Sequence, residues 1–130
     1  MQTFLLAMVL YPKVLKKAQA ELDRVVGHGR LPDYSDREDL PYIEAIMKEV
    51  LRWNPPLPIA IPTRVTQDDV YRGYFIPEGA TIVQNVWAVT RDEKLFPDPE
   101  TFNPDRYLKD GKIDPTVFSP EERVFGGGRR

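Results

Sequence analysis

An α+β fold is predicted for this 130-residue sequence by three features of its pattern. Residues 1–53 carry apolar side chains at helical spacing, residues 54–86 hold short runs of β-branched and aromatic residues, and residues 87–130 are broken up by proline. The length suits one domain or part of one.

The first helix is expected over Thr3 to Leu10. It is apolar on all sides, as helices in the interior of a larger protein are. Pro12 opens a second, with Val14, Leu15, Ala18, Leu22, Val25 and Val26 on one face and Gly27 as its stop. Residues 27 to 34 read as loop, and Ser35-Asp36-Arg37-Glu38 as a capping box for a short helical turn.

The central helix begins at Pro41, where a missing N–H costs nothing, and stops at Asn54-Pro55-Pro56. Tyr42, Ile43, Ile46, Met47, Val50 and Leu51 form a wide apolar arc. Glu44 and Lys48, four apart, read as a solvated pair worth ~0.2–0.5 kcal/mol. Glu49 falls at the edge of the arc, where a half-buried carboxylate needs donors. Arg52, three residues on, can supply them with its planar fork. On this helix alone a second surface pair is an equal reading.

Beyond it, Pro55, Pro56, Pro58 and Pro62 keep the chain extended. Arg64-Val65-Thr66, Val70 to Ile76 and Ala80 to Val86 predict three strands of a small antiparallel sheet. Gln67-Asp68-Asp69 and Pro77-Glu78-Gly79 are the turns between them. A short helix is expected over Asn85 to Arg91. From Phe96 to Ser119 prolines forbid long elements, yet Phe96, Phe102, Tyr107 and Phe118 recur. Aromatics in such a coil predict a packed meander. Asn103-Pro104-Asp105-Arg106 reads as a capped turn and Ser119-Pro120-Glu121-Glu122 as a last helix start.

Composition narrows the chemistry. Net charge is −2 and there is no basic run, so nothing suggests a nucleic-acid partner. Cysteine is absent, which removes disulfides, thiolate metal ligands and a cysteine nucleophile from this chain. The single histidine, His28, lies between two glycines and reads as a solvated loop residue. The apolar run Phe4 to Leu10 is far short of the ~20 residues a spanning helix needs. It also lacks the basic residues and cleavage site of a signal peptide. In the tail, Phe125-Gly126-Gly127-Gly128-Arg129-Arg130 combines backbone freedom with cations that suit an anionic group. It lacks the lysine and the strand-to-helix setting of a nucleotide phosphate loop, and on this segment alone a flexible basic end is the stronger reading.

Four of these stretches, in this order, resemble the C-terminal part of a cytochrome P-450, the haem-thiolate monooxygenase family. Glu49-Val50-Leu51-Arg52 is similar to the family's E-x-x-R helix. Tyr71-Arg72-Gly73-Tyr74-Phe75-Ile76-Pro77-Glu78-Gly79 resembles its Y-x-G-Y-x-I-P-x-G hairpin. Phe102 to Tyr107 resembles its F-x-P-x-R-aromatic meander. Phe125, Gly128 and Arg130 match the start of its haem loop, F-x-x-G-x-R-x-C-x-G. The style is that of fungal microsomal members.

The resemblance implies a partial copy of a mainly helical fold: the end of the long central helix, the helices after it, a small sheet, a meander and the start of the haem loop. It implies that Glu49, Arg52 and Arg106 form a structural triad. It implies that Arg64, Phe125, Gly128 and Arg130 contact haem b. Arg64 and Arg130 would meet propionates, Phe125 would pack under the ring and Gly128 would turn the loop. Threonine stands at position 63, where many relatives carry histidine. The complete enzyme is expected to take electrons from a flavin-containing reductase and oxygenate a small apolar substrate, with the endoplasmic reticulum membrane as its location. The turn around Leu57 to Ile61 is the one stretch expected to touch substrate, and its Ile59-Ala60-Ile61 content makes that wall apolar.

The loop's cysteine, the axial iron ligand, would be the second residue after Arg130. The acid–threonine pair that delivers protons would precede Met1. The chain by itself is therefore expected to be inactive, with no catalytic and no metal-binding residue of its own. The alternatives are a non-catalytic remnant or a small interaction module using the apolar helix and basic tail.

Overall fold

A computed structural model of the chain describes residues 1–126. Helix α1 spans Gln2–Leu10, α2 Pro12–Val25 and α3 Pro41–Trp53. Prolines occupy the first turns of α2 and α3. Gly27, at φ 71°, follows the end of α2 in the left-handed region that glycine enters most readily. Asn54 leaves helical geometry at φ −145°, ψ 82°, as a residue before proline must.

Between α2 and α3 a 3₁₀ turn runs from Tyr34 to Asp39. Its cap is Asp33, two residues earlier than the expected Ser35. Asp33 accepts from the Tyr34 N–H, and Asp36 accepts from the Asp33 N–H at 2.8 Å. Arg30 returns from the loop to grip both Asp36 oxygens at 2.7 and 2.6 Å. The position of Asp36 under Arg30 makes it the second half of the cap.

Helix α3 stands between two cores. On one side Tyr42 and Ile46 pack with Ala7, Met8, Ala18 and Phe102. Tyr11, Trp53 and Phe102 meet there, with ring centroids 5.4–6.1 Å apart. On the other side Ala45 packs with Phe96 and Tyr107, and Phe118 lies edge-on to Phe96. Burying rings such as Phe96 and Phe102 stabilises the chain by ~1.5–3 kcal/mol each. The aromatics of the proline-rich stretch are thus what makes it a packed meander.

Two expectations for α3 are corrected. Met47 is 59% exposed, because the apolar arc is narrower than its sequence suggests and a second, polar face is buried instead. Lys48 is not solvated. Its Nζ reaches Glu121 at 3.0 Å and Ser119 at 3.3 Å, and lies 4.0 Å from Glu44. Helix α5, Glu121–Val124, covers it. The partner lies 73 residues away and leaves no local trace.

The expected three-stranded sheet resolves into separate ladders. Strands β1, Thr63–Arg64, and β4, Thr81–Ile82, pair antiparallel. Strands β2, Asp69–Tyr71, and β3, Tyr74–Ile76, form a hairpin. The run Val70 to Ile76 is therefore not one strand. Arg72 and Gly73 sit at φ 51° and 83° and turn the chain inside it, the dihedral pattern of a tight hairpin. Residues 83–86 leave the ladder and lead into α4, Val86–Thr90, which Asn85 caps through the Ala88 N–H. A second hairpin, β5 Leu108–Lys109 with β6 Lys112–Ile113, turns at Asp110-Gly111 and was not expected. Pro104–Tyr107 forms the expected capped turn, with Asn103 accepting from the Asp105 N–H.

Helix α1 leaves Phe4, Leu5, Leu6, Val9 and Leu10 exposed. Among the described residues no helix is long and apolar enough to cross a membrane. His28 is exposed, 3.7 Å from Asp23.

Candidate functional site: one carboxylate between two arginines

Glu49 and Arg52 lie one turn apart on the polar buried face of α3, and both are 0% exposed. Arg52 donates from Nε to Oε2 and from Nη2 to Oε1 of Glu49, each at 2.8 Å. The fork and the carboxylate therefore pair bidentately, the strongest arrangement for these groups. Oε1 also accepts from the Asn103 N–H at 2.8 Å and from Arg106 Nε at 3.3 Å.

One negative charge cannot neutralise two guanidinium groups out of water, and isolated buried charges are costly. The remaining N–H donors meet backbone oxygens instead. Arg52 donates to the carbonyls of Thr90 at 3.1 Å, Pro99 at 2.8 Å and Thr101 at 3.3 Å. Arg106 donates to those of Pro97 at 2.8 Å, Asp98 at 3.3 Å and Thr101 at 3.4 Å. Asp98 holds the left-handed region, φ 52°, and so bends the 97–101 segment around the two arginines. The Phe96 ring lies 5.5 Å from the Arg52 guanidinium carbon.

Beside this cluster is a third arginine that sequence reasoning missed. Arg91 lies over the Trp87 ring at 4.1 Å, donates to the Trp53 carbonyl at 2.8 Å and sits 3.0 Å from Glu100. Burial pulls its pKa below the usual arginine value. The four-residue step from Trp87 to Arg91 on a helical stretch was the available signal. Trp53 Nε1 completes the seam by donating to the Glu100 carbonyl at 2.8 Å. Together these contacts fasten the end of α3 to the meander.

Glu49, Arg52 and Arg106 are thus brought together. The remaining predicted residues lie apart from them. Arg64 is exposed on β1, and among the described residues no carboxylate is within ion-pair distance of it. Phe125 follows α5 and is 71% exposed. Gly128 and Arg130 lie outside the described residues. An open groove of about 380 Å³ runs between the 3₁₀ turn and α3, lined by Tyr34, Leu40, Ile43 and Met47 among others, and shares no residue with the predicted site.

A buried E-x-x-R helix clamped to a proline-rich meander, followed by an aromatic–glycine loop, is the arrangement expected of the haem-thiolate class. The chain belongs to the cytochrome P450 family, whose model matches residues 1–130. It is 52% identical over 130 residues to cytochrome P450 monooxygenase 176 of Postia placenta, covering 100% of this chain and 25% of that protein. It is 50% identical over 128 residues to cytochrome P450 monooxygenase 98 of the same fungus, covering 98% and 25%. It is 51% identical over 129 residues to the tryptamine 4-monooxygenase of Psilocybe cyanescens, again covering 98% and 25%. The chain spans about a quarter of the length of the curated relatives it matches.

Proposed function

We propose that this chain is the meander-bearing part of a haem-dependent monooxygenase that inserts one oxygen atom of O2 into a small apolar organic substrate, with electrons from a flavin-containing reductase at the endoplasmic reticulum membrane. The observation that carries this reading is the family match over residues 1–130 together with the Glu49 cluster, which has the make-up expected of that family's scaffold.

The described residues fit the edge of a porphyrin. Arg64 offers an exposed guanidinium for a propionate, and no carboxylate among the described residues competes for it. Ile59 and Ile61 are exposed apolar side chains in the stretch just before it, and Phe125 is an exposed ring beyond α5. Gly128 and Arg130 would extend that contact. They do not fit the iron itself, since the chain has no cysteine to serve as the thiolate ligand. Haem b, when bound, supplies the redox chemistry on oxygen. The part of this chain is to hold the meander rigid against α3 and to present Arg64 at the ring's edge.

Taken alone, the chain should not oxygenate anything. The test is to compare it with the complete reading frame that contains it, each loaded with haem b, reduced and exposed to carbon monoxide. The complete protein should give the absorption typical of thiolate coordination and turn over substrate with a reductase, and the chain alone should do neither. A thiolate-type spectrum from the chain alone, or its absence from the complete protein, would defeat the proposal.

A further inference from the structure

We propose that Gly79 is a positioning residue for Arg64, leaving a notch that the edge of the guanidinium occupies; this rests on the reading of Arg64 as the partner of a haem propionate. Pro77-Glu78-Gly79-Ala80 is a tight turn closed by the Ala80 N–H donating to the Pro77 carbonyl at 3.1 Å. Gly79 occupies its third position at φ +84°, which glycine adopts without strain. The turn is locked across the ladder. The Gly79 N–H donates to Val65 and the Val65 N–H to Ala80, both at 2.9 Å, while Arg64 pairs with Thr81.

The Arg64 guanidinium crosses the open face of Gly79. A Cβ at that position would stand 3.3 Å from Nη2, 3.7 Å from Nε and 3.9 Å from Cζ. A Cβ alone would crowd Nη2 by a few tenths of an ångström and leave Nε and Cζ at ordinary contact, and a longer side chain would reach further across the fork. Glycine therefore serves twice, once by its backbone freedom and once by leaving room for Nη2. Gly73, in the turn of the β2–β3 hairpin, separates the two demands. Its φ is +83°, nearly the same, but nothing lies within 4 Å of where its Cβ would be. An arginine carries about 2 kcal/mol of rotamer entropy. Resting the fork against backbone removes part of that freedom before an acid arrives, so the notch prepares Arg64 to meet a propionate carboxylate.

The experiment uses the complete haem-loaded protein containing this chain, with Gly79→Asn, Gly73→Asn, Arg64→Met and the Gly79→Asn/Arg64→Met pair. Asparagine tolerates positive φ, so Gly79→Asn mainly fills the notch. Crystal structures read the position of the Arg64 side chain, and transfer of haem to an apoglobin scavenger reads its release rate. Gly79→Asn should displace the guanidinium and speed haem release about fivefold, the scale of one weakened ion pair. Arg64→Met should speed haem release at least as much, the double variant should release haem no faster than Arg64→Met, and Gly73→Asn should match the unaltered protein. If Gly79→Asn does not fold, Gly79→Ala is compared with Gly73→Ala, which carries the same backbone cost at positive φ but meets no neighbour, whereas at Gly79 the Cβ reaches 3.3 Å from Nη2. An unmoved guanidinium in the Gly79 variant overturns the proposal, as does a release effect that persists when Arg64 is already methionine. A displaced guanidinium with unaltered haem release in Arg64→Met leaves the notch standing and overturns the propionate reading instead.

Discussion

The carboxylate of Glu21, on α2, straddles the N-terminus of α3, accepting from the Tyr42 N–H at 3.1 Å and the Ile43 N–H at 3.0 Å. Leu40 at the cap position offers no side-chain acceptor, so a residue from a neighbouring helix satisfies the free donors and meets the positive end of the helix dipole. Glu21→Ala should lower the stability of the chain by about 1–2 kcal/mol. Urea unfolding followed by the fluorescence of Trp53 and Trp87 measures this, and an unchanged midpoint would contradict it.

Glu49→Ala should be far more damaging. It leaves Arg52 wholly buried with no counter-charge, a situation that costs about 3–5 kcal/mol. That is a large part of the ~5–15 kcal/mol available to a folded domain. The expected result is loss of cooperative unfolding and, in the complete protein, loss of bound haem. Arg106→Lys should be milder but still harmful, because one ammonium cannot serve the Glu49 carboxylate and the carbonyls of Pro97, Asp98 and Thr101 at once.

Tyr107 is buried against Ala45 and Phe96, and its hydroxyl has no hydrogen-bond partner among the described residues. Burial pushes its ionisation well above the ordinary phenol range. An unpaired buried hydroxyl costs about 1–3 kcal/mol, so Tyr107→Phe should raise the melting temperature. Calorimetry on the two proteins decides the sign, and a lower melting temperature would point to a partner for that hydroxyl.

Asp36 should govern the acid limit of the 3₁₀ turn. The Arg30 fork, then the Asp33 N–H, hold its pKa down at about 2, below the ordinary carboxylate value of 3.8. A folded-state pKa that is depressed contributes stability fully present above the unfolded value and lost as pH falls through the folded one. The contribution should therefore be intact above pH 3.8 and fade towards pH 2. Asp36→Asn should remove that slope, as read from urea midpoints taken across this range.

What could be read from the sequence depended on the distance to each partner. Pro12, Pro41 and Asn54 act on their own backbone, so α2 and α3 were legible to within a residue or so. The meander aromatics were legible because apolar rings in a proline-rich coil have few other uses. The hairpin of β2 and β3 was misread because Val70 to Ile76 is continuous in strand propensity, and only the Arg72-Gly73 pair marks the reversal. The same kind of mark, Asp110-Gly111, was passed over between β5 and β6. Glu49 was legible as a carboxylate in need of donors. The carbonyls that complete its site were not, since every residue has one and only the path of the chain chooses among them.

Because Arg52 and Arg106 take hold of the 97–101 segment by its carbonyl oxygens, the side chains on that segment are largely free to change while its route is not. Replacing Thr101 or Glu100 keeps every oxygen where the forks need it. Adding or deleting a single residue between Phe96 and Phe102 would slide the whole row out of reach. In this part of the molecule, evolution and engineering alike can edit the letters but not the spacing.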